Sequence, residues 1–249
     1  GIGGDNDFII VGDDSAGTDS SFTNPNSGQA VIFNRATGAT VRVLNSPTAA
    51  DSNTYARLSK FGKGVDITEF NGYKYACIGA PAHRNASDQL VPRIYVYKSN
   101  DGFSTITLVK TIELSEYTAI STNNTLFRGR KTFKAKGKWL IVGDHAYNST
   151  GLCKYYDITD ELYDYDYTAN VMDDWTGWSV GTNGTKFVYS DPLKDGLYAG
   201  GSITPPNEGK IAMFEHNGSY FTREGYQIVG SYSHNRADNL NLGSAVAVS

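Results

Sequence analysis

Four short runs along this 249-residue chain share one design: FIIVGDD (8–14), YACIGAP (75–81), WLIVGDH (139–145) and FVYSDP (187–192). Each is apolar or aromatic, then stops at a small residue and a turn former. The small residues Gly12, Gly79, Gly143 and Ser190 stand 67, 64 and 47 positions apart. Such internal periodicity constrains the architecture strongly, because a repeat that cannot bury its apolar face alone must stack on its neighbour.

The flanks of each run repeat as well. The following segments are GQAVIFNRATGATVRVL (28–44), RIYVYKSNDGFSTITLVKTIEL (93–114), GLCKYYDI (151–158) and GKIAMFEHNGSYFTREGYQIV (209–229). Three of them read strand, polar turn, strand, with Asn, Asp and Gly where hairpins need them. The preceding segments are FGKGVDI (61–67), FRGRKTF (127–133), GWSVGT (177–182) and LGSAVAVS (242–249). The composition agrees: 17 Tyr and 11 Phe suit half-buried strands, and 27 Gly supply turns. The predicted unit is four antiparallel strands, and one such unit per repeat is the arrangement of a β-propeller blade. The expected fold is therefore an all-β propeller of about four blades.

In FGKGVDITEFNGYKYACIGAP (61–81), Phe61 is expected between neighbouring blades and Gly62 at a close backbone approach. FNGY reverses the chain, YACIG forms the second strand, and Pro81 ends it. The chain opens on a second strand that lacks a first, and 242–249 reads as a first strand that lacks a second. Joined, they make one repeat opening. The expected blades of a single 1–249 domain are then 242–249 with 1–60, 61–126, 127–176 and 177–241. Either the last strand closes a ring without open edges, or the chain is a window on a longer array.

These residues resemble the FG-GAP repeat of integrin α-subunit-like propellers. Residues 61–97 match it best, and GDD, GDH and SDP stand for GAP in the other repeats. The resemblance implies a calcium loop between first and second strands. Asp5, Asn6 and Asp7 supply some oxygens for it, whereas Ca²⁺ takes roughly six to eight. A plain polar turn is the competing reading. A second resemblance lies in KSNDGFSTI (98–106), which is similar to the Asp-box hairpin of sialidase-like propellers. Ser99, Asp101, Gly102 and Thr105 fit it, while Phe103 and Ile106 replace Gly and Trp. In that family the box is a folded structural turn.

Other chemistry is sparse. The net charge is −4 and the densest basic stretch is RGRKTFKAKGK (128–138), so no electrostatic footprint for nucleic acid exists. No apolar run is long enough to insert in a membrane. No GxSxG, HExxH, CxxC or P-loop occurs. Cys77 reads as a small buried hydrophobe, and a disulfide to Cys153 stays open. Asp13, Asp14, His83, Asp144, His145 and Asp191 follow the second strands, whose loops share one propeller face. They are the expected ligand-binding residues, although Asp serves ordinary turns equally well. The acidic, Tyr-rich YDITDELYDYDYTANVMDD (156–174) reads as a solvated linker, with Tyr163, Tyr165 and Tyr167 on one face if extended. Trp175 and Trp178 read as packing or as sugar-stacking residues.

The expected role is non-catalytic recognition or adhesion on an extracellular or virion surface. The expected partner is a protein or glycan on a cell surface, or neighbouring subunits of an assembly. The composition is similar to that of phage tail fibres and bacterial surface adhesins. A structural segment of a fibre and a sialidase-like glycan-active propeller are the alternatives.

Overall fold

A computed structural model describes residues 1–16, 27–47, 59–85, 87, 89–114, 132–144, 152–159, 164–168, 177–191, 210–216, 221–229 and 246–247. Among the described residues, sixteen strands form four antiparallel sheets, each of four strands, and there is no helix. The first sheet comprises β1 (Ile2–Gly4), β2 (Phe8–Asp13), β3 (Gln29–Asn34) and β4 (Thr40–Asn45). The second comprises β5 (Gly64–Phe70), β6 (Tyr73–Ala80), β7 (Arg93–Ser99) and β8 (Thr107–Glu113). The third comprises β9 (Phe133–Lys136), β10 (Trp139–Asp144), β11 (Leu152–Asp157) and β12 (Asp164–Thr168). The fourth comprises β13 (Val180–Thr182), β14 (Lys186–Asp191), β15 (Lys210–His216) and β16 (Phe221–Val229).

Local chemistry explains the hairpins. Asn71 and Gly72 both take positive φ, 50° and 76°, so β5 and β6 are joined by the two-residue turn that matches strand twist. Asn34 Oδ1 accepts the amides of Ala36 and Thr37 at 3.0 Å between β3 and β4. Asn183 Oδ1 accepts those of Thr185 and Lys186 between β13 and β14. Polar side chains thus replace the ladder where the strands stop.

Gly1–Asn124, with Ala135–Lys138 and Ile158–Glu161, forms one compact unit. Here the first sheet turns Phe8, Ile10, Ala30, Ile32 and Leu44 onto Val65, Ile67, Ala76, Ile78, Tyr95 and Tyr97 of the second. Phe61 is fully buried in this core, 5.7 Å from the Tyr95 ring. Gly12 packs on Gly62 so tightly that a Cβ on Gly12 would fall on the Gly62 carbonyl. Each of the large core side chains contributes about 1.5–3 kcal/mol by leaving water.

Thr125–Lys134, Trp139–Asp157 and Leu162–Ser249 form the other unit. Its core repeats the pattern. Trp139, Ile141, Cys153 and Tyr155 of the third sheet lie on Val180, Phe187, Tyr189, Ala212 and Phe214 of the fourth. Gly143 packs on Gly177 as Gly12 does on Gly62. The accompanying hydrogen bonds recur too. Gly62 donates to Gly79 O and Gly177 to Ser190 O, both at 3.0 Å. In both units the front of one sheet, the face carrying the second strand's small residue, packs on the back of the next.

Two expectations are corrected. The first sheet takes its first strand from Ile2–Gly4, not from 242–249, and Val246 and Ala247 lie in no strand. Gly3 permits this, since a Cβ there would strike Val65 O and the Asp66 side chain. The stretch read as a linker instead supplies β12, paired with β11 in register from Leu152↔Thr168 to Tyr156↔Asp164. Tyr165 and Tyr167 stand in β12, while Tyr163 and Trp175 lie outside the described residues. The Cys77–Cys153 pairing, which the sequence leaves open, is not made, and both thiols are buried.

Candidate functional site

The small-residue junction decides what gathers at the end of β2. Because Gly62 lies on Gly12, the next residue of one strand entry, Lys63, reaches the next turn of the other. Lys63 Nζ pairs with Asp14 Oδ2 at 3.1 Å. Asp13, exposed at the strand end, folds its carboxylate onto Ser15, accepting the amide at 3.0 Å and the hydroxyl at 2.6 Å. The Ser15 hydrogen bonds hold its carboxyl below the ordinary value. Asp13, Asp14 and Lys63 thus form a polar cluster open to water at this edge.

The remaining expected ligand residues are placed differently. His83 is buried just after β6, its amide donating to Ala80 O at 3.3 Å and its carbonyl accepting from Val91 at 2.8 Å. Asp144 and Asp191 end β10 and β14 in the second unit, where both are buried rather than presented on a loop. Burial at these strand ends keeps both side chains out of water, and this was not visible in a run of letters. His145 lies outside the described residues.

At the opposite edge, Asp5, Asn6 and Asp7 form the β1–β2 turn. Asp5 Oδ1 accepts the amides of Asp7 and Phe8, both at 2.9 Å. The cation that meets their other oxygens is an ammonium. Lys74 Nζ lies 2.8 Å from Asp5 Oδ2, 2.7 Å from Asp7 Oδ2 and 2.7 Å from Glu69 Oε2. Burial alone would raise the Asp5 carboxyl, but Lys74 and the two amides outweigh it and hold it below the ordinary value. Burial likewise works against the Lys74 charge, and the three carboxylates reverse that and raise its pKa. The three carboxylates have the spacing of a metal site; the lysine already supplies their charge balance. Lys74 and Glu69 were missed in the sequence. The available signal was their place on either side of the Asn71–Gly72 turn, which makes them direct cross-strand partners.

The Ser99–Thr105 turn folds as its resemblance implied. Ser99 Oγ bonds Asp101 Oδ1 at 2.8 Å and accepts the Phe103 amide at 2.9 Å, while Asp101 accepts the Thr105 amide and hydroxyl. Phe103 leaves this turn at φ 69° and drives its ring edge-on into Phe8, centroids 5.2 Å apart. Arg42 Nε closes the joint by donating to Phe103 O at 3.1 Å. The turn therefore clamps the second sheet to the first.

Buried in the first unit, Asp66 joins the first strands of three sheets. It is 1 % exposed, and its carboxylate accepts the amides of Gly4 (2.9 Å), Ile67 (3.0 Å) and Ala135 (2.7 Å). It holds backbone amides. A scan against protein-family models and a search of curated proteins each return no match to the chain.

Proposed function

We propose that the four sheets are blades of a β-propeller of FG-GAP type, and that the protein is a non-catalytic recognition module of an extracellular or virion surface. It presents the loops after its second strands to a protein or glycan on a cell surface. The observation that carries this reading is the junction made twice, Gly12 on Gly62 and Gly143 on Gly177, each with a front face on a back face. That is how blades stack, and a rigid stack displaying edge loops suits recognition. Asp13, Asp14 and Lys63 are the ligand-facing group of that edge.

The test uses the folded full chain on glycan arrays and intact cells, with an Asp13→Ala/Lys63→Ala double variant and fluorogenic glycosides as substrates. Saturable binding that falls at least tenfold in the double variant, with no glycoside turnover, supports the reading. Turnover would overturn it in favour of a glycan-active propeller. Absence of binding to any surface would overturn it in favour of a structural segment. The structural reading draws on one specific feature, the exposed Ile2, Val11 and Val43 on the back of the first sheet.

A further inference from the structure

An Asn–Gly pair carries its own reaction. The backbone nitrogen of the glycine attacks Cγ of the asparagine, and a glycine, with no Cβ, leaves that approach uncrowded and its own backbone free to turn. How fast the attack runs depends on what holds the two groups. The chain has three such pairs, Asn71–Gly72, Asn183–Gly184 and Asn217–Gly218, and the last lies outside the described residues.

The other two both sit in hairpin turns, yet they are held differently. Between β13 and β14, Asn183 Oδ1 accepts the Thr185 amide and hydroxyl, both at 3.1 Å, and the Lys186 amide at 2.8 Å. The Gly184 amide donates to Thr182 Oγ1 at 3.0 Å. The carboxamide is thus fixed on the residues after it, and the attacking nitrogen is tied to the residue before it. Between β5 and β6 neither group is held. Among the described residues nothing hydrogen-bonds the Asn71 carboxamide or the Gly72 amide. Both residues are exposed, and a Cβ on Gly72 would meet nothing within 4 Å. The Gly72 peptide must rotate out of its turn to reach Cγ. Nothing packs on it, and the ladder behind it begins at Phe70↔Tyr73. Every partner named here belongs to the same hairpin as its Asn–Gly pair.

We propose that Asn71 is a site of spontaneous deamidation, with water as the co-reactant, and that the fold protects Asn183 from the same reaction. The Gly72 nitrogen gives its proton to solvent base and bonds to Asn71 Cγ. The Cγ–Nδ2 bond breaks, and the nitrogen leaves as ammonia with a proton returned by solvent. Water then opens the cyclic imide at either carbonyl, giving aspartate or an isoaspartyl link at position 71. Nothing is oxidised or reduced. The isoaspartyl product routes the main chain through the side-chain carbons, and so lengthens a turn whose two residues hold φ of 50° and 76°. Either product adds a negative charge to the hairpin that carries Glu69 and Lys74, where three carboxylates already share one ammonium. Conversion therefore loosens this end of the β5–β6 hairpin with time. It needs no ligand and stands apart from the recognition reading.

The full chain is aged in mildly alkaline buffer, once folded and once in concentrated urea. Peptides spanning 71–72 and 183–184 are quantified by mass spectrometry, and isoaspartate is read by enzymatic carboxyl methylation. In urea the two sites are expected to react at similar rates, because both are Asn–Gly. In the folded chain Asn71 is expected to react at least tenfold faster than Asn183, which must first open its turn locally. Isoaspartate is expected in the 71–72 peptide, together with faster hydrogen exchange over 68–75 in the aged chain. Equal rates at the two sites of the folded chain overturn the proposal. So does an Asn71 that stays intact when folded but reacts in urea, since the turn then blocks the attack. Unchanged exchange over 68–75 after conversion overturns the loosening. Glycan or cell binding enters none of these readouts, so the two readings fail separately.

Discussion

Gly12 and Gly62 meet backbone to backbone, and a methyl group on Gly12 would coincide with the Gly62 carbonyl. Gly143 and Gly177 meet in the same way. The side-chain-free contact lets neighbouring sheets close to full packing density. Gly12→Ala and Gly143→Ala are each expected to destabilise by about 3 kcal/mol, the cost of forcing packed backbones apart. Gly38→Ala meets nothing within 4 Å and pays only for its φ of 71°, about 1 kcal/mol. Urea denaturation of the three variants ranks them. Equal losses would show that the glycines act through chain entropy instead of the junction.

Asp66 accepts three backbone amides from three strands in a buried position. Asp66→Ala strands those amides, at about 1–3 kcal/mol each. A loss of at least about 3 kcal/mol is expected, with faster hydrogen exchange at Gly4 and Ala135. Unchanged exchange at both amides would contradict the bridging role.

Phe103 combines a buried ring with a left-handed backbone. Phe103→Ala is expected to cost about 4 kcal/mol through the cavity it leaves. Phe103→Gly also loses the ring but relieves the backbone by about 1 kcal/mol. Glycine should therefore be the milder substitution, the reverse of the usual order inside a sheet. Thermal melts of the pair decide it.

Asp5 and Asp101 both titrate below the ordinary carboxylate value of 3.8, so protons bind the unfolded chain more readily than the folded one. For Asp101 the causes are hydrogen bonds from Thr105, first its amide and then its hydroxyl, and from Ser99. Their stabilisation is complete above that value and is lost as the pH falls below it. Lys74 has the opposite sign: its contribution holds below the ordinary lysine value and disappears only in stronger alkali. Stability is expected to be level near neutrality and to fall in acid below about pH 4. Asp101→Asn should flatten the acid limb. An acid limb equally steep in that variant would remove Asp101 from the account.

Much of the fold is legible in the sequence, for local reasons. The apolar run ending in a small residue marks each second strand, because strand formers give way to turn formers within a few residues. Asn71–Gly72 announces its hairpin, and Ser99–Thr105 announces a self-bonded turn, because both are closed by groups within a few positions. The third outer strand was not legible. Asp164, Asp166 and their neighbours read as solvated linker, since an edge strand needs no apolar pattern of its own and takes its pairing from β11.

The sequence by itself thus determined the strands, their turns and their repetition, all set by interactions between residues near in the chain. The tertiary structure decided which ends are open and which are buried. It buried Asp144 and Asp191, matched Lys74 to carboxylates 67 and 69 positions away, and gave the first sheet its own first strand. It also left Ile2, Val11 and Val43 exposed. Those outcomes depend on which sheet lies against which, and the energy of such packing resides in pairs of faces that no local pattern specifies.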